Sequence, residues 1–308
     1  MTVTCDQFLV GVKRSITIPA NQQLMTDQDM LDLGSDSIRD KMIPLLMSTN
    51  QNFFVTTYLQ SLVVRQSKYP IHYRAVARGL RDLKLVNSTN NTMDLRLIAL
   101  EDEHLFANQA QPVGFYFSGD SIMIVPSPIV AGTQLKQFFN LQPNSLVCTT
   151  DAAKVTGVAA GVLTCSSVPT SIVAGVSVDF IQGRQGCSTL GMDVVVTGVA
   201  GNQISFTAAD IPTDLIVGDY VALAQQSPVV QLPDEAVQLL ETLTGMRVLQ
   251  AIGDYEGAKS NQVSAMQQEK DLLKILEPRI EGESTKIISR NGLLRGRSMS
   301  YFRSRGGF

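Results

Sequence analysis

Read from the amino terminus, apolar positions first recur at helical spacing. Phe8, Leu9 and Val12 make a short apolar face before Ile16-Thr17-Ile18-Pro19 interrupts it. Thr26 with Asp29 three residues on has the spacing of a capping box, in which side chains satisfy the free amides of a helix start. Leu31, Ile38, Met42 and Leu45 then share one face. Pro44, which has no N–H to donate, is expected to kink or end that helix.

From Phe53 to about Val130 the period becomes two. Phe53-Phe54-Val55-Thr56-Thr57-Tyr58-Leu59 is β-branched and aromatic, the composition of a strand. Arg74-Ala75-Val76-Ala77, Asp82-Leu83-Lys84-Leu85-Val86 and Met93-Asp94-Leu95-Arg96-Leu97-Ile98 are further short strands by the same pattern. Phe115-Tyr116-Phe117 and Ile122-Met123-Ile124-Val125 flank Ser118-Gly119-Asp120-Ser121. That is a hairpin signal, because Gly supplies the positive φ of a tight turn. Pro126 and Pro128 close the second strand.

Residues 147–225 carry an internal repeat. Thr156-Gly157-Val158-Ala159-Ala160-Gly161-Val162-Leu163-Thr164 resembles Thr197-Gly198-Val199-Ala200-Gly201-Asn202-Gln203-Ile204-Ser205. Each copy is followed by a proline (Pro169, Pro212) and then by a glycine opening another apolar strand (Gly175, Gly218). Two such units are expected to pair into a small barrel or sandwich, since neither buries a core alone. After Leu232-Pro233 the pattern turns helical. Ala236, Leu239, Leu240, Leu243 and Met246 form one stripe; Val263, Met266, Leu273 and Leu276 form a second. Gly253-Asp254 separates them, which predicts an antiparallel helix pair ending near Pro278.

Composition narrows the class. The chain has 308 residues, 44% apolar and 17% charged, enough for a real core and unlike a disordered tail or a coiled coil. Its apolar runs fall short of the roughly 18 residues that span a bilayer. With Asp6 near the start and no apolar stretch before a small-residue cleavage site, a secretory signal is not expected. Cys5, Cys148, Cys165 and Cys187 have wide, irregular spacings, so free thiols in a reducing compartment are expected rather than disulfides. The sequons at Asn87 and Asn90 then carry no glycan.

Charge is unevenly placed. From Ser284 to Phe308 there are six cations and no acid; a total of −3 therefore leaves −9 for residues 1–283. The search for catalytic chemistry finds little. His72 and His104 are the only histidines; His72 reads as a strand residue and His104 as part of a solvated loop beside Glu101, Asp102 and Glu103. No HExxH, Cys/His cluster or GxSxG elbow is present, so neither a metal, a cofactor nor a Ser nucleophile is expected. Gly253-Asp254-Tyr255-Glu256-Gly257-Ala258-Lys259-Ser260 is too short between its glycines for a phosphate loop and is read as a helix turn.

The order of elements resembles the head-to-tail connector, or adaptor, proteins of tailed bacteriophages. Three stretches carry it. They are the hairpin from Phe115 to Pro128 with its continuation Leu135-Lys136-Gln137-Phe138-Phe139, the helix from Leu232-Pro233-Asp234 to Leu249-Gln250-Ala251-Ile252-Gly253-Asp254, and Pro278-Arg279-Ile280-Glu281-Gly282 before the basic tail. The patterns above give an α+β fold with helical elements at both ends around a β region and an extended basic C-terminal tail; against the family, the repeat-bearing β-barrel or β-sandwich is an insertion that simpler members lack. On that reading 1–146 is the connector core and 147–228 the insertion. Residues 229–283 form the helical hairpin completing the core, and 284–308 the docking tail. The resemblance implies a non-enzymatic virion protein of the neck, made in the host bacterial cytoplasm, which forms a homo-oligomeric ring, commonly of twelve copies. Its partners would be the portal protein and tail or neck proteins, with transient contact to packaged DNA and none to a membrane. Composition alone suits the tail equally to nucleic acid, with six cations for phosphates and Tyr301, Phe302 and Phe308 to stack on bases, and to an acidic protein groove. With the resemblance, the segment expected to dock on the portal contains Arg290, Arg295, Arg297, Tyr301, Phe302, Arg303 and Arg305, because Arg pairs bidentately with carboxylates and aromatics supply desolvated anchors. Two rivals are an enzyme with an unrecognised site, disfavoured by the two histidines and missing nucleophile motifs, and a receptor- or carbohydrate-binding tail protein. The latter should show exposed aromatic platforms, while residues 147–225 hold only Phe180, Phe206 and Tyr220 as aromatics.

Overall fold

The computed structural model describes residues 2–16, 25–87, 91–106, 109, 111–129, 132–184 and 188–276. The amino-terminal elements are α1 (Cys5–Ile16), α2 (Asp27–Ser37), a π-helical turn (Ile38–Met42) and α3 (Ile43–Thr49). A first β region follows: β1 (Val55–Ser61), β2 (Lys68–Pro70), β3 (Ala75–Val86), β4 (Thr92–Asp94), β5 (Arg96–Leu97), the short α4 (Glu103–Phe106), β6 (Gly114–Ser118), β7 (Ser121–Val125), β8 (Gln134–Leu141) and β9 (Ser145–Leu146). Next come β10 (Ala153–Ala159), β11 (Val162–Cys165), β12 (Ser177–Ile181), β13 (Thr189–Val195), β14 (Gly198–Ala200), β15 (Gln203–Ser205), β16 (Tyr220–Leu223) and β17 (Gln226–Ser227). The described chain closes with α5 (Asp234–Ile252) and α6 (Tyr255–Leu276). It is mixed α+β, with helices at both ends around several sheets. Among the described residues no helix is long and apolar enough to cross a membrane.

The helices from both ends share one core that includes Phe8, Val12, Leu31, Met42, Leu46, Leu240 and Leu272. Fully burying such a side chain contributes about 1.5–3 kcal/mol relative to exposure. Thr26 caps α2 as its spacing predicts: its Oγ1 accepts from Asp29 N at 3.1 Å and its own N–H donates to Asp29 Oδ2 at 2.8 Å. Pro44 does not end the helix. The ladder widens to π geometry over Ile38–Met42, and Pro44 then sits in the first turn of α3, where a missing N–H costs little. Helix α5 is buried on several sides, at Val237 and Val248 on one and Leu239 and Thr242 on another. Its Gly245 lets neighbours come close, since a Cβ there would lie 2.7 Å from Ser15 Oγ and 2.8 Å from Ile16 Cγ2.

Of the stripe expected on α6, Leu276 packs against the helical core and Leu273 is half-buried, but the other two positions are corrected. Val263 and Met266 are 70% and 53% exposed, and the residues buried are Ala258, Ala265 and Leu272. Two alanines in this seam, spaced seven residues apart, allow a close approach to α5, and the bulkier Val263 and Met266 are turned away from it.

Two four-stranded sheets, ordered β1-β8-β3-β4 and β2-β7-β6-β5, enclose a second core of Tyr69, Leu83, Ile122, Ile124, Leu135 and Phe139. The expected hairpin is β6–β7, turned at Gly119 with φ +59°. The two strands expected around Arg74 and Asp82 are one long strand, β3, with register shifts between Ala75 and Asp82.

The segment between β9 and β17 forms a seven-stranded sheet ordered β13-β12-β16-β10-β11-β15-β14 around a third core. Its entry and exit strands, β9 and β17, pair in parallel. The two repeat copies form hairpins β10–β11 and β14–β15 with matching registers. Across β11 and β15, Leu163 faces Ile204, Val162 faces Ser205 and Thr164 faces Gln203, the pairing of a local two-fold through the Leu163–Ile204 pair. Across β12 and β16, Val178 faces Leu223 and Phe180 faces Val221, a second two-fold pairing about Asp179 and Ala222. The sheet is not a closed barrel. Its edges β13 and β14 follow one another across Val196 and Thr197, where pairing passes from the β12 side to β15.

Candidate functional site

The tail residues singled out from sequence, Arg290, Arg295, Arg297, Tyr301, Phe302, Arg303 and Arg305, lie outside the described residues, as does Cys187. Gly253 ends α5 in the left-handed conformation, and Asp254 Oδ1 accepts from Gly257 N at 2.9 Å, the helix turn expected there. His104 sits in an exposed turn, its Nδ1 2.8 Å from the Glu101 carbonyl. Cys5 and Cys165 are buried free thiols. Burial raises both, Cys165 to about 11. Among the described residues no group of three or more His, Cys, Asp or Glu is placed to hold a metal ion.

The structure does bring together a polar cluster that periodicity leaves invisible. Arg74, at the start of β3, is 2% exposed, and Asp179, in the middle of β12, is fully buried. Arg74 donates to both Asp179 oxygens, at 2.7 and 3.0 Å, and to Asp193 Oδ1 at 3.1 Å. Asp179 also accepts from Asn144 Nδ2 at 2.8 Å and from the backbone N–H groups of Asp193 and Gln225, both at 3.0 Å. Its carboxylate thus joins the first sandwich to the seven-stranded sheet, and all its bonds are charge-assisted. Burial opposes the charge on Arg74, but its bonds to Asp179 and the nearby Asp193 outweigh that and hold its pKa above the ordinary value. The sequence signal was a lone acid within an apolar strand, Val178-Asp179-Phe180-Ile181.

Beside this junction opens a cleft of about 990 Å³, running along β1 on one side and β13 on the other. Its floor is a stack of rings. His72 lies 5.1 Å from Phe139, 5.1 Å from Tyr73 and 4.5 Å from Tyr58. The Tyr73 hydroxyl donates to Asp193 Oδ1 at 2.6 Å. His72 Nδ1 accepts from the Arg74 amide at 3.3 Å, which requires the neutral ring. Burial holds the His72 pKa below its ordinary value, with Asp193 pulling the other way. Strained backbone gathers here. Ala77, Arg78 and Asp193 all have positive φ, each costing on the order of 1–3 kcal/mol. Arg78 reaches the cleft with no polar partner among the described residues.

Two apolar surfaces stand apart from the cleft. On α6, Tyr255, Val263 and Met266 are exposed, and a groove of about 140 Å³ lined by Met42, Leu243, Met246 and Met266 adjoins them. Leu97, Leu100, Leu105 and Phe117 form a different exposed set around β5 and β6. No protein-family model matches the sequence, and no curated protein matches it either.

Proposed function

We propose that the chain is a structural subunit of a ring, an adaptor between the portal and the tail of a bacteriophage. The observation that carries this reading is the pair of unlike apolar surfaces. Packing in a closed ring is heterologous: each copy offers one face and receives another, so the two faces differ. The outer side of α6 and the Leu97–Leu100–Leu105–Phe117 set are two such faces. The negative charge of residues 1–283 suits a channel wall that must let DNA slide past, because like charges repel. In this reading the segment between β9 and β17 is a decoration inserted into the connector core. The basic stretch 284–308 docks on portal through Arg290, Arg295, Arg297, Tyr301, Phe302, Arg303 and Arg305. The carbohydrate-binding rival draws no support from the inserted sheet, whose Phe180, Phe206 and Tyr220 are all buried.

The test is native mass, measured on the full chain alone and after mixing with portal of the same phage. A ring that forms on portal, and is lost when residues 284–308 are removed, is the expected result. A monomer that ignores portal rejects the reading.

A further inference from the structure

We propose that the open edge of β1 receives an extended strand from another polypeptide, one that brings a carboxylate to Arg78. Among the described residues, strand β1 is the outer strand of its sheet and pairs only with β8. The bonds from Leu141 N to Phe54 O and from Leu62 N to Thr133 O set the phase of that pairing. Residues 56, 58 and 60 therefore bond β8, and the N–H and C=O groups of Thr57 and Leu59 point to the open side. The cleft follows that side, lined by the consecutive residues 56–60 as well as by β13. Five residues give a run of roughly 17 Å, the length of an ordinary strand.

Other sheet edges among the described residues are blunted. Strands β2, β4 and β14 have three residues each and β5 has two, while β13 is bulged, its Asp193 amide turned inward to Asp179. Strand β1 has seven residues, regular pairing, no proline and no charge. Unprotected edges of this kind pair with incoming strands.

Charge selects the occupant. Among the described residues Arg78 is the cleft's cation without a polar partner, and Asp193 is already engaged by Arg74 and Tyr73. A nucleic acid needs several cations, and this wall supplies one. The chain's own basic segment 284–308 has no acidic side chain for Arg78, and neither has β1 of a second copy. An extended peptide with an acidic residue satisfies the backbone edge and the guanidinium together, and Tyr58 and Tyr73 offer ring faces to its side chains. The inference is independent of the ring reading.

Amide hydrogen exchange on the full chain tests it, with the capped peptide Thr-Val-Thr-Glu-Thr-Val-Thr as probe. Saturable protection of Thr57 and Leu59 is expected below ~10 mM peptide, with Lys in place of Glu binding about tenfold more weakly. Leu59→Pro should abolish protection, since that N–H is not used by β8. Arg78→Glu, at an exposed side chain, should reverse the Glu-over-Lys preference whether or not the proline variant folds. No protection at ~10 mM, or equal binding of both peptides, overturns the proposal. Protection already present without peptide also overturns it: if it rises with protein concentration a second copy is the occupant, and if it vanishes on removing 284–308 the chain's own tail is.

Discussion

Asp179 accepts five hydrogen bonds, two of them from a guanidinium whose residue is only 2% exposed. Removing one partner of a buried pair leaves the other charge uncompensated, at about 3–5 kcal/mol. Asp179→Asn should therefore lower the unfolding free energy by about that amount, read from urea denaturation. A loss under about 1 kcal/mol would mean that water or Asp193 compensates Arg74. His72 gives a pH signature. Its folded pKa lies below the unfolded value, so the unfolded chain takes up a proton that the folded chain resists. The stabilising contribution is complete above about pH 6.5 and is lost as pH falls through the folded pKa. His72→Phe keeps a ring against Phe139 and removes the titration. Its melting temperature should fall less than that of the native chain between about pH 7 and pH 5. Parallel curves would show that His72 is not a coupled group.

At the scale of elements, Gly245 is the sharpest case of packing overriding propensity. Alanine would favour the helix by about 1 kcal/mol, yet its Cβ would press into Ser15 and Ile16 of α1. We expect Gly245→Ala to destabilise by about 1–3 kcal/mol in thermal or denaturant unfolding; a gain would show that α1 can step aside. Most helix starts, strands and turns were legible in sequence because caps and glycine turns are local. Thr26 with Asp29 and Gly253 are examples. The repeat was visible too, through like spacings of Thr-Gly-Val and of the glycines before β12 and β16. The inside of α6 was misjudged, because Val263 and Met266 are larger than Ala258 and Ala265 and dominate any reading by hydrophobicity.

For the whole molecule, the ring reading makes the exposed stripe of α6 a subunit contact rather than a packing error. Val263→Asp with Met266→Asp should prevent ring formation on portal, seen as loss of the ring mass. Unfolding should shift by no more than about 0.5 kcal/mol, because both side chains already meet solvent. A ring that assembles normally with both charges would remove α6 from the contact. The two-fold pairing inside the seven-stranded sheet is broken chemically where Asp179 faces Ala222, so only one repeat carries the acid that holds Arg74.

What the sequence determined by itself was the local grammar of the chain: helical ends, a β middle, the hairpin at Gly119, the caps and the repeat. These follow from periodicity and turn chemistry, which act between near neighbours. The tertiary structure alone decided which face of α6 is buried, how the helix passes Pro44, which strand edge stays open and how the two sheets are joined. Those depend on pairs such as Arg74 and Asp179, 105 positions apart, whose meeting is set by the packing of elements between them and leaves no periodic trace.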